Sequence, residues 1–228
     1  MQISATSRLV GVLRKLWSKQ RAFRYRRARA DVFGKIYQER LWSASESASG
    51  MGSSTRGTEM VRKLLPELFA DLGITSLVDV PCGDFFWMRS VLQSSKLRYH
   101  GFDIVQELIA RNTTQYGDDT TRFGVLDIVK SIPPAADLIL CRHLLIHLPL
   151  NDAMTCIRNF KLSGSRWLLI TSQPDCQRNE EIWWTGAYRP VNLELPPFNL
   201  SPVRRIPDSQ DEQDRGELLL IPLDKVSL

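Results

Sequence analysis

The 228-residue sequence contains no apolar run near the ~20 residues that a helix needs to cross a bilayer, so no membrane span is expected. Its four cysteines, Cys82, Cys141, Cys156 and Cys176, form no C-x-x-C pair and imply no disulfide framework. With no secretory leader evident, buried thiols in a reduced compartment are expected, and the cytoplasm is the first expectation for location. The G-x-G-x-x-G loop of nicotinamide-dependent oxidoreductases is absent, and no internal repeat is present. Acid is missing altogether from residues 1–30, which carry nine Lys or Arg, while the remainder has 21 basic and 25 acidic residues. The basic character thus belongs to an arm at +9 and not to the body at −4, and the pI alone implies no nucleic-acid surface on that body.

With 43% hydrophobic residues, the chain is long enough for one domain with a substantial core. In the arm, Leu9, Val12, Leu13, Leu16 and Trp17 recur at helical spacing among Arg8, Arg14, Lys15 and Lys19, the pattern of a basic amphipathic helix. Three roles fit it: a solvated extension, a mitochondrial-type address, or contact with an anionic membrane surface or RNA. The domain proper is expected over 31–228. Residues 43–58, rich in Ser, Gly and Thr, read either as a connector or as a loop folded over a ligand. A helix is expected over about 59–70, and strands over 77–80, 98–102, 122–126, 136–141 and 166–172. Helices near 86–93, 105–112 and 151–161 alternate with them, as in a parallel sheet covered on both faces. Residues 173–217 hold six prolines, with a weak strand signal at 202–206. A clear last strand is expected at 218–223.

The most informative stretch is Leu77-Val78-Asp79-Val80-Pro81-Cys82-Gly83-Asp84, a buried strand entering a tight turn between two carboxylates. Two later strands also end in acids, at Asp103 and Asp127. With Phe33-x-x-Ile36-Tyr37, Trp42, Ser49-Gly50-Met51-Gly52-Ser53, Pro190-x-Asn192-Leu193 and Pro197-Phe198, this ordered set resembles the class I S-adenosylmethionine-dependent methyltransferases over roughly residues 32–224. The variant carries Asp-x-Pro-Cys-Gly-Asp as its first loop, with Pro81 and Phe85 at positions that are often glycine in that family. The resemblance implies a single Rossmann-like α/β domain: a doubly wound, mostly parallel sheet with an antiparallel C-terminal strand.

It also implies S-adenosyl-L-methionine as cofactor, with 59–172 as its binding core. Gly83 would let the loop approach the methionine part, with Pro81, Cys82 and Asp84 beside it. Asp79 would fix the loop or accept from the cofactor's amino group; a turn acid capping the next helix is the plainer reading. Asp103, twenty residues beyond Gly83, would accept both ribose hydroxyls. Asp127 would accept from the adenine amino group, with Ile104 and Leu126 on the ring. Trp87 would stack on the adenosine, face the sulfonium, or pack in the core.

Cys141-Arg142-His143 follows the fourth strand, where the family places residues beside the methionine and the acceptor. Either His143 or His147 suits a base for an acceptor hydroxyl. The pair also has metal-ligand spacing, yet Leu144 replaces the glutamate of the zinc-protease pattern and no third ligand is evident, so no metal is assigned. Residues 173–217 are expected on the acceptor side, with Tyr188 as a stacking face, Arg189 as a donor fork and Asn192 as donor and acceptor. A small-molecule or glycan acceptor methylated at oxygen is the leading expectation. An RNA methyltransferase is the alternative within the class, and a noncatalytic S-adenosylmethionine-binding scaffold the alternative outside it.

Overall fold

The computed structural model describes residues 29–42, 44–208 and 216–227. The amphipathic pattern at 9–17 lies outside them. Seven strands form one sheet: β1 (Ser76–Asp79), β2 (Arg98–Asp103), β3 (Thr121–Val125), β4 (Leu138–Cys141), β5 (Trp167–Ser172), β6 (Arg204–Pro207) and β7 (Glu217–Pro222). Their order is β3-β2-β1-β4-β5-β7-β6. The first five are parallel, and β7 runs antiparallel between β5 and β6. The weak signal at 202–206 is therefore a true edge strand, which starts two residues later and ends one later. Helices α1 (Arg29–Gln38), α2 (Glu59–Leu72), α3 (Met88–Gln93), α4 (Gln106–Tyr116) and α5 (Leu150–Leu162) complete the set. Among the described residues no helix is long and apolar enough to cross a membrane.

Strands β4 and β5 are apolar on both faces because both are covered. On one face Ile139, Cys141, Leu168 and Ile170 pack against Cys156, Ile157 and Phe160 of α5 and against Val191 and Leu193. On the other, Leu77, Leu138, Leu140 and Leu169 pack with Val61, Leu65 and Leu68 of α2 and with Met88 and Val91 of α3. Helix α2 ends on Gly73, in the left-handed region at φ 61°, so that the Ile74 amide reaches the Phe69 carbonyl. At the opposite end of the sheet from the cleft, Asp137 accepts from the backbone and hydroxyls of Thr75 and Ser76 at 2.8–3.0 Å, locking β4 to β1. The chain reverses direction of strand progression between β1 and β4, and the crevice beyond their carboxyl ends is where such sheets bind ligands.

The boundary expected at residue 30 falls inside helix α1. Arg29 is buried and donates through Nε and one terminal nitrogen to Asp127 at 3.2 and 2.8 Å, and through the other to Asp152 of α5 at 3.0 Å. Removing one partner of a buried ion set leaves the others uncompensated, a loss of about 3–5 kcal/mol. Urea unfolding of Arg29→Ala should show a loss of that size. Deleting residues 1–28 should leave the transition nearly unchanged, whereas deleting 1–29 should reproduce the Arg29→Ala loss.

Candidate cofactor and acceptor site

The loop after β1 is held by its neighbours: the Val80 amide donates to the Leu140 carbonyl and the Cys82 amide to the Phe102 carbonyl. Gly83 sits at φ 53°, and a Cβ there would come within 2.5 Å of the Ser49 hydroxyl. Only glycine suits this place. Ser49 belongs to the segment 44–58, which is a fixed loop laid over the turn, not a connector. Asp84 Oδ2 accepts from the Ser47 hydroxyl at 2.9 Å and the Ala48 amide at 2.7 Å, while its own amide donates to Ser49. Asp84 thus clamps the covering loop.

Beside Gly83, Asp103 ends β2 with Oδ1 accepting from the Val105 amide at 3.0 Å and Oδ2 from the Gly83 amide at 3.3 Å. A carboxylate has about four acceptor sites, so acceptor capacity remains for a ligand's hydroxyl. Burial pushes its carboxyl up to about 6. Pro81, Gly83, Asp103, Ile104, Leu126 and Asp127 line one cavity, six of the eleven residues expected at the cofactor. Phe33, Tyr37 and Trp42 of α1 and the turn after it close its other side, together with Ala48 and Ser49.

The remaining expectations are redistributed. Asp79 lies beneath the loop, its Oδ2 accepting from the Tyr99 hydroxyl at 2.7 Å, and burial pushes its carboxyl up to about 7. That bond ties β1 to β2 and reaches no residue of the loop, and Asp79 is not part of the cavity lining. Cys82 and Cys141 pack into cores on opposite faces of the sheet. Trp87 is buried in the second core with the Arg142 guanidinium 5.5 Å from its ring. Asp127 lines the cavity, but Arg29 holds both of its oxygens, and the Val129 amide donates to Oδ1. An adenine amino group would have to share that carboxylate with a guanidinium.

At the end of β4, Arg142 is wholly engaged: Nε donates to Asp208 Oδ1 at 2.7 Å, and its terminal nitrogens to the carbonyls of Gly52 and Gly57 at 2.6 and 3.1 Å. It ties the covering loop to the sheet and is a positioning residue. His143 is different. Its backbone is in the left-handed region at φ 57°, its amide donates to the Thr171 hydroxyl, and its Nε2 lies 2.9 Å from Asp208 Oδ2. A side chain held in a sparsely populated backbone conformation is concentrated at functional sites. His143 is 27% exposed, and a Cβ on Gly52 would strike its Nδ1 edge at 2.6 Å. Asp208 itself is buried; although burial works the other way, Arg142 and His143 hold its carboxyl far below the usual range.

His147 is stacked on Trp42 at 4.3 Å, with Nδ1 3.0 Å from the Ala187 carbonyl and Tyr188 beyond at 6.2 Å. Burial lowers it to about 4, so it is neutral at ordinary pH. An aromatic series therefore runs from Phe33 and Trp42 in the cavity through His147 to the exposed Tyr188. Arg189 and Asn192, expected to face an acceptor, are buried and bonded to the protein's own backbone, Arg189 tying the segment to the turn after β4 and Asn192 bonding within it. Arg189 donates to the carbonyls of Leu145 and Leu148, and Asn192 to that of Cys176 while accepting from the Glu194 amide. Among the described residues no cluster of three His, Cys, Asp or Glu could hold a metal.

No protein-family model matches the chain, and no curated protein matches its sequence. Solved structures do. Magnesium protoporphyrin IX methyltransferase from Synechocystis PCC 6803, with bound SAH, superposes with a TM-score of 0.58 at 14% identity, over 83% of this chain and 94% of that one. The chain has the class I methyltransferase fold. The N-methyltransferase NodS from Bradyrhizobium japonicum WM9 gives 0.55 at 18% identity, over 75% of this chain and 98% of that one. Mitomycin 7-O-methyltransferase gives 0.53 at 17%, over 85% and 67%. In this methyltransferase fold the sheet is doubly wound with its antiparallel strand at the C-terminal end, as the sequence led us to expect.

The buried acids under the cofactor loop carry a pH signature. Asp79 has a folded-state value raised above its ordinary 3.8, so its contribution to stability is full at low pH and is lost as pH rises through about 7. Asp79→Asn keeps an acceptor for Tyr99 but cannot ionise. Urea unfolding from about pH 5 to about pH 8 should show wild-type stability falling more steeply than that of the variant; parallel profiles would place the ionisation elsewhere.

Proposed function

We propose that the chain is an S-adenosylmethionine-dependent methyltransferase acting at oxygen on a small-molecule or glycan acceptor. The observation that carries this reading is the pairing of Gly83 and Asp103 in one cavity at the switch point of a methyltransferase fold. The residues present fit the cofactor: the Gly83 turn in the cavity lining for its methionine part, the Asp103 carboxylate for its ribose, and Ile104 and Leu126 for its adenine. When bound, it supplies an electrophilic methyl group on a sulfonium, so the protein's task is alignment of the acceptor.

His143 is the base in this reading. Its Nε2–H donates to Asp208, which fixes the tautomer and leaves Nδ1 to take the acceptor's hydroxyl proton. The imidazolium so formed faces a carboxylate already anchored by Arg142. His147, neutral and stacked on Trp42, serves as wall between cofactor and acceptor, and Tyr188 offers the acceptor a ring face.

Calorimetry should show saturable binding of S-adenosylmethionine, weakened by Asp103→Ala by about 1.5–3 kcal/mol, the range for hydrogen bonds to a charged group. Binding of a nicotinamide dinucleotide in its place would overturn the assignment. His143→Gln should keep cofactor affinity within about threefold while lowering transfer of labelled methyl into the small-molecule fraction of a cell extract by about 10²–10⁴. Undiminished transfer by that variant would remove His143 from the chemistry.

A further inference from the structure

Trp183 and Trp184 stand side by side on the surface, 62% and 54% exposed, with Tyr188 also outward at 65%. The segment bearing them is pinned on both sides. Ahead of the pair, Glu181 accepts from the Leu150 amide at 2.9 Å. Behind it, Thr185 is buried, the Gly186 amide donates to the His147 carbonyl at 2.9 Å, and a Cβ on Gly186 would press on Val32 and Ile36 of α1 at 3.1 Å. Two indoles are thus presented to solvent on a rigid mount.

That mount adjoins the place where the basic arm enters the fold. Leu150, which Glu181 caps, is two residues from Asp152, and Asp152 holds Arg29 at the start of α1. Residues 1–28, which precede Arg29 in the chain, hold eight Lys or Arg and no acid. Of the acids flanking the indoles, Glu180 is paired with Arg178 at 2.9 Å and Glu181 accepts from the first amide of α5.

We infer that the protein docks on an anionic lipid bilayer through two elements, the Trp183–Trp184 pair at headgroup depth and the basic arm on the lipid charge. Indoles are favoured at the membrane–water interface, where an apolar body and a polar N–H are both accommodated. A polybasic segment adds attraction that salt screens, and the two signals together give an anchoring that neither gives alone. Single-stranded RNA would call for cations interleaved with the aromatic faces. Here the cations lie in the arm, and the body beyond residue 30 is net negative.

Co-sedimentation of the full chain with sucrose-loaded vesicles tests this directly. Binding to phosphatidylcholine–phosphatidylglycerol vesicles should exceed binding to phosphatidylcholine alone and weaken with salt. The double variant Trp183→Ser, Trp184→Ser, both exposed and so without effect on melting temperature, should bind anionic vesicles about tenfold or more weakly. Deleting residues 1–28 should abolish the salt-dependent part. Should the double variant aggregate, Trp183→Ser alone carries the test, with a smaller loss in the same direction. Vesicle binding unchanged by the tryptophan variants, equal binding to neutral and anionic vesicles, or binding to RNA without binding to vesicles would each overturn the inference.

Discussion

The buried ion pair of Arg142 and Asp208 joins three separate parts of the chain. Arg142 leaves the end of β4, Asp208 follows β6, and the two outer nitrogens of the same guanidinium hold the Gly52 and Gly57 carbonyls of the covering loop. Asp208 also orients His143. A buried charge left without its partner costs several kcal/mol, so the pair persists only with its geometry intact. That constraint fixes where the covering loop lies, and with it the depth of Gly83 beneath Ser49.

A second ion set does the same on the other side. Arg29 binds Asp127, at the end of β3, to Asp152 of α5, and so brings α1 with Phe33 and Tyr37 onto the cavity. That wall of the cavity is therefore built from residues before the sheet begins. In the proposed reading the carboxylate that would meet the adenine already serves the Arg29 guanidinium, so cofactor entry would be coupled to that contact.

Much of the fold was legible in the sequence because its signals are local. Val78 and Val80 before Gly83, the acid ending β2, and the alternation of strands with helices each depend on a few neighbouring residues. Asp103 was legible for the same reason: its place is fixed by the strand it ends. Asp84, Arg142, Arg189 and Asn192 were not, since their partners lie 36, 66, 44 and 16 residues away in sequence. A donor fork on a loop reads alike whether it meets a ligand or a backbone carbonyl. Asp208 and Arg29 had no local pattern to mark them; Trp42 and Ser49 stood among the resembling motifs, and that was the one signal pointing to the covering loop. The arm's composition was equally plain, but nothing local marks Arg29 in that basic run, since the two carboxylates that it reaches lie 98 and 123 residues away in sequence.

The central claim is that the cavity between Gly83, Asp103 and Leu126 is an S-adenosylmethionine site. A crystal structure of the protein with S-adenosylhomocysteine tests it most directly. The account predicts ribose hydroxyls within hydrogen-bonding distance of Asp103, the methionine part against Gly83, and adenine between Ile104 and Leu126. Density for the ligand at another face of the sheet, or a cavity that admits it only with Asp103 turned away, would contradict it.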